Sequence, residues 1–253
     1  MFFVTMLVIL GDSAQALTVL DGSYYDISST RMVVNNTTIT YGKALILESS
    51  NMSADKPTLL FFGGIGERSS ARATAKLLEG VTTFDSWNVC AIAVARDKGK
   101  INEWKEVATS LREYISARVQ EGKIDPKNIW IDVYSNGAAG GFYSTLELHG
   151  MLTFLPDGTT SELQIRELTF IEGSLTGIIK SPQIEQLLGM GIEVTMYVSK
   201  GSTYKLSAHG RELVKEFKNR ENFTGILVDH GHGNGIVELV SKVYRNHEAE
   251  EWL

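Results

Sequence analysis

What most constrains this chain is an alternation: from Pro57 onward, apolar runs of strand length alternate with longer stretches of helical periodicity. Thr58 to Phe62, Val89 to Ala95, Ile129 to Val133, 167–171, 192–198 and 224–229 are rich in Val, Ile, Leu and Phe, as strands buried on both faces must be. Between the second and third runs, Ile101, Trp104, Val107, Ala108, Leu111, Tyr114, Ile115 and Val119 recur at three- and four-residue spacing. This predicts an amphipathic helix over 101–121 that stops near Gly122. Further helices are predicted at 71–79, 138–148, 181–189, 206–219 and 235–247. Strands joined through helices pair in parallel, with the helices packed back onto the sheet. The expectation is therefore the α/β class: a three-layer α/β/α sandwich around a mostly parallel central sheet.

Residues 17–50 have another character. They are β-branched and aromatic, with turn pairs at Asp21-Gly22, Asn35-Asn36 and Tyr41-Gly42, which predicts antiparallel strands along the N-terminal edge. Gly150 to Ser161 reads as a short insertion turning at Pro156-Asp157-Gly158. No repeat or Pro/Gly/Ser linker interrupts 17–253, so one domain is expected there. Residues 1–16 support two readings. The apolar start and the small-x-small run Ser13-Ala14-Gln15-Ala16 fit a signal peptide, and hence secretion, whereas the lack of any Lys or Arg before Arg31 fits a buried strand and a cytoplasmic protein. Ten apolar residues are too few to span a bilayer, so no stable membrane span is expected.

Composition narrows the partners. A chain that is 43% hydrophobic and 21% charged can bury a large core, which excludes disordered and disulfide-scaffold classes. Its net charge of −6, with no dense Lys/Arg run, argues against a nucleic-acid partner. Cys90, the one cysteine, lies in an apolar run and is expected as a small buried hydrophobe.

The chemistry concentrates in one stretch, Ile124-Asp125-Pro126-Lys127-Asn128-Ile129 leading through Val133 to Ser135-Asn136-Gly137-Ala138-Ala139-Gly140-Gly141. A serine on a sharp strand-to-helix turn lifts its hydroxyl above the sheet, and small residues around it let the bend close. This order resembles the nucleophile elbow of the α/β-hydrolase superfamily, particularly esterases in which an Ile-Asp-Pro-x-x-Ile lead-in precedes Ser-Asn-Gly-Gly. The resemblance covers residues 42–247. It departs from the family pattern at Val133, where a glycine usually precedes the nucleophile by two, and at Phe62, where a histidine usually precedes the Gly-Gly loop. A Ser-Asn-Gly turn that merely caps a helix is the competing reading.

The resemblance implies an acyl-transfer serine, Ser135, with an oxyanion hole built from the N–H of Asn136 and that of Gly64 or Ile65 in Gly63-Gly64-Ile65-Gly66. It implies a histidine base in the loop Asp229-His230-Gly231-His232-Gly233. There His232, flanked by glycines, matches the family position best and His230 is second; a metal-binding His-x-His pair is the alternative. His149 is expected as a favourable cation at a helix C-terminus, and His209 as a solvated surface residue. For the acid, the usual position falls near Ser202, in a loop without a carboxylate. Glu172, after the preceding strand, takes its place, ahead of Asp157 and Asp229. A solvated strand-end charge is the competing reading of Glu172.

The expected activity is hydrolysis of a carboxylic ester, or deacetylation, by a Ser-His-acid triad. The substrate would be a small-molecule, glycan or peptide ester, with no metal or organic cofactor implied. Three alternatives stay open: a non-catalytic hydrolase-fold protein that binds a protein partner, an acyltransferase using the same residues, and a short-chain-dehydrogenase-like nucleotide binder. The last lacks Tyr-x-x-x-Lys on one helix, since Tyr197 and Lys200 stand three apart at a strand end.

Overall fold

Pro57 places the chain in extended backbone, and the five buried residues after it, β4 (Thr58–Phe62), form the middle of the sheet. The computed structural model describes residues 18–20, 37–41, 44–49, 52–63, 86–94, 101–135, 137–172, 179–201 and 205–229. Six strands run parallel: β4, β5 (Asn88–Val94), β6 (Ile129–Tyr134), β9 (Ile165–Ile171), β10 (Glu193–Ser199) and β11 (Phe223–Val228). Beyond β5 the sheet continues antiparallel through β3 (Ala44–Glu48), β2 (Thr37–Tyr41) and β1 (Thr18–Leu20). The order is β1-β2-β3-β5-β4-β6-β9-β10-β11, so both the parallel centre and the antiparallel N-terminal edge are as expected.

Four helices are described: α1 (Ile101–Gln120), α2 (Gly137–Leu148), α3 (Ser181–Gly189) and α4 (Lys205–Phe217). α1 ends where its periodicity runs out, with Gly122 taking a φ of 70° that suits glycine. Residues in register across a sheet share a face. The row Phe62, Val133, Phe170, Met196 and Gly225 faces the helices: Phe62 meets Trp104 of α1 edge-on at 6.0 Å, and a Cβ at Gly225 would lie 2.4 Å from Val214 of α4. The opposite face, with Leu59, Phe61, Asp132, Thr169 and Ile171, is equally buried, as a sheet covered on both sides requires. The helices expected at 71–79 and 235–247, and residues 1–16, lie outside the described residues.

Two local features have physical causes. The insertion at 150–161 is a two-stranded hairpin, β7 (Leu152–Phe154) and β8 (Thr160–Glu162), too short to show a period-2 pattern in sequence. At the antiparallel edge, Glu48 of β3 is buried because Arg118 of α1 reaches it with two parallel N–H bonds of 2.8 and 2.9 Å, and the Tyr114 hydroxyl donates a third. Cys90 packs beside that hydroxyl, and burial pushes its thiol up to about 12. It is the inert buried cysteine that its apolar surroundings predicted.

The topology fixes where a site can form. The chain leaves β4 for β5 on one side and leaves β6 for β9 on the other, so the order reverses between β4 and β6. Open α/β sheets hold ligands in the crevice at the carboxyl ends of such a pair.

Candidate active site

Ser135 sits in that crevice, one residue past the end of β6 and two before α2 begins. Its φ is 52°, in the left-handed region that costs a side-chain-bearing residue about 1–2 kcal/mol. Within the turn, the Ala138 N–H bonds to the Ser135 carbonyl at 3.2 Å, and the Ser135 N–H bonds across to the Ile171 carbonyl of β9 at 3.4 Å. A strand that ends in one left-handed residue and turns at once into a helix is the elbow geometry the sequence predicted. A helix cap has no need of this backbone, since cap residues ordinarily lie in the β region.

The elbow closes because glycine stands wherever another chain segment comes near. A Cβ at Gly137 would fall 2.3 Å from the Phe62 carbonyl oxygen and 2.8 Å from that of Gly63, so the start of α2 abuts the end of β4. At Gly141 a Cβ would lie 2.1 Å from Cγ1 of Val133. That contact explains the departure at Val133. Its branched side chain is fully buried and occupies the space that the missing Cβ of Gly141, one helical turn past Gly137, leaves open.

Glu172 follows β9 as Ser135 follows β6, with φ 45°. It is 3% exposed, which overturns the reading of a solvated strand-end charge. One carboxylate oxygen accepts the Ser199 N–H at the tip of β10, and the other accepts the Ser207 hydroxyl of α4 at 2.9 Å. Its own N–H is bound to the Tyr197 carbonyl at 2.9 Å. The weaker candidates for the acid are placed differently. Asp157 is exposed in the hairpin turn, its carboxylate held below the usual range by the hydroxyl and N–H of Thr159. Asp229 is exposed and pairs with Lys200 at 3.2 Å.

His149 accepts the Ile165 N–H on Nδ1 at 3.2 Å, which ties the end of α2 to β9. His209 differs from expectation: it is part-buried, with Nε2 3.0 Å from the Ile179 carbonyl, because α4 packs beside the segment leading into α3. His230, His232, Asn136, Gly64, Ile65 and Ser202 lie outside the described residues. Among the described residues, no group of three or more His, Cys, Asp and Glu side chains could hold a metal, and no helix is long and apolar enough to cross a membrane.

Sequence reasoning did not single out Gly141 as the partner of Val133, nor Ser199 and Ser207 as partners of Glu172. The Gly140-Gly141 doublet was a signal for the first, but nothing local marks the second, since Ser207 is 35 residues from Glu172.

No protein-family model and no curated protein sequence matches the chain. Solved structures do match in shape. An esterase of the archaeon Pyrobaculum calidifontis superposes with a TM-score of 0.60 at 12% identity, over 86% of this chain and 87% of that one. Esterase LipW of Mycobacterium marinum gives 0.53 at 8% identity, over 79% and 74%. The Francisella virulence factor BioJ gives 0.53 at 11% identity, over 82% and 80%. At such identities the likeness is one of fold.

Proposed function

On the α/β-hydrolase fold that this chain has, we propose a serine ester hydrolase with Ser135 as its nucleophile. The observation that carries the reading is the left-handed backbone of Ser135 at the end of β6, closed against β4 through Gly137 and accommodating Val133 through Gly141. A backbone outlier in a ligand crevice is a reason to assign function there, because the strain persists only where the surroundings hold it. That two of the structures sharing the fold are esterases agrees with it.

In this reading the Ser135 hydroxyl attacks the ester carbonyl and His232 takes its proton, later returning it to the leaving alcohol. Glu172 keeps the imidazole in the productive tautomer and stabilises the imidazolium that forms. The N–H groups of Asn136 and of Gly64 or Ile65 donate to the oxyanion as charge develops there. Water then hydrolyses the acyl-enzyme by the same proton path. Small-molecule, glycan or peptide esters are the substrates proposed, and no step calls for a metal or organic cofactor.

The test is labelling with a fluorophosphonate probe, which needs an activated serine and no knowledge of the substrate. The modified peptide should map to Ser135, and labelling should disappear in Ser135→Ala and His232→Ala. Folded wild-type protein that takes up no probe would favour the non-catalytic binding protein instead.

A further inference from the structure

Glu172 arises from β9, yet its carboxylate is held at the neighbouring strand. Two of its side-chain partners lie there: the Ser199 N–H at the tip of β10 and the Ser207 hydroxyl in the first turn of α4. The tip is itself pinned. The Ser199 carbonyl accepts Nη1 of Arg211 at 2.7 Å, and the Lys200 N–H bonds to the Val228 carbonyl of β11 at 2.8 Å. Residues of α4, β10 and β11 therefore fix the surroundings of one carboxylate from β9, and β11 leads directly into the segment bearing His230 and His232.

α4 has no acidic residue in its own first turn, so the Glu172 carboxylate also supplies the negative charge that a helix N-terminus favours. Ser207 is 2% exposed and Glu172 is 3% exposed, so their 2.9 Å bond is not exchanged for water.

We propose that Ser207 is a positioning residue: its hydroxyl, together with the Ser199 amide, holds Glu172 so that an acid arising from β9 is presented at the tip of β10. The inference rests on the reading of Glu172 as the acid that orients His232. Removing the hydroxyl takes one donor from the carboxylate, whose more localised charge then favours the protonated form of an imidazole beside it. That moves the acid limb of the rate profile to higher pH.

The experiment measures the fluorophosphonate labelling rate of Ser135 against pH for wild type, Ser207→Ala, Ser207→Cys and Ser207→Thr. Ser207→Ala should label about 10-fold more slowly at neutral pH, with its acid limb raised by about half to one unit. Ser207→Cys, close in size but a weak donor, should behave alike and serves in its place if the alanine variant does not fold. Ser207→Thr, which keeps the hydroxyl, should restore both rate and limb. Folded Ala and Cys variants with wild-type rate and limb, whatever their melting temperature, overturn the inference while leaving Ser135 as nucleophile. Failure of wild type to label at Ser135 overturns the inference and the proposed function together.

Discussion

Ser135 and Glu172 follow the two members of one register pair, Tyr134 of β6 and Ile171 of β9, and both leave the sheet with left-handed backbone, φ 52° and 45°. Adjacent parallel strands thus end in the same way at the same level, and the Ser135 N–H bonds to the Ile171 carbonyl between them. A serine and a carboxylate that leave neighbouring strands together are carried to the same end of the sheet.

The strain at Ser135 is expected to trade stability for position. Ser135→Gly should raise stability by about 1 kcal/mol, because glycine meets no steric cost at this φ. Ser135→Ala, which keeps the Cβ, should leave stability nearly unchanged. Both should lose ester hydrolysis by about 10⁴-fold or more. Denaturant unfolding beside an ester assay checks the pair, and a glycine variant no more stable than alanine would refute the strain.

Val133 and Gly141 should be energetically coupled. Gly141→Ala places a Cβ against Val133 and should cost about 1–3 kcal/mol through overpacking. Val133→Ala removes the offending methyl groups, and in its presence Gly141→Ala should cost at least about 1 kcal/mol less. A double-mutant cycle by chemical denaturation measures this, and strict additivity would show that the elbow closes for another reason.

Breaking the buried pair at the antiparallel edge should be costly without touching the chemistry. Glu48→Ala leaves the Arg118 guanidinium, 7% exposed, without the carboxylate that accepts two of its bonds. The guanidinium keeps Glu121 at 2.7 Å, so a loss of about 1–3 kcal/mol is expected. Equilibrium unfolding gives the value, and the Ser135 labelling rate of the folded fraction should stay at the wild-type level.

Stability should fall in alkaline solution. Burial raises the Cys90 thiol from 9.0 to about 12, so between those values the unfolded chain has released a proton that the folded chain retains. The stabilisation is complete below pH 9 and is lost as pH rises toward 12, at about 1.4 kcal/mol per pH unit. Tyr114, also raised by burial, acts in the same direction from a higher starting value. Unfolding free energies measured from pH 8 to 11 should show the slope, and Cys90→Ala should flatten it by one proton.

The sequence by itself determined the order of elements from Pro57 to Val228 among the described residues, the hairpin of β7 and β8 excepted, because periodicity and strand-length apolar runs depend only on neighbours along the chain. It also located the turn at Ser135 between β6 and α2, since a strand-to-helix turn is a local feature. Tertiary structure decided what depends on residues far apart. Val133 is tolerable because Gly141 lies over it, His149 accepts a bond from β9, and the carboxylate of Glu172 is held by Ser199 of the next strand and Ser207 of the helix after it. Local composition records the propensity to form a strand or a turn. Where a buried polar group finds its donors is recorded only in how the strands are ordered.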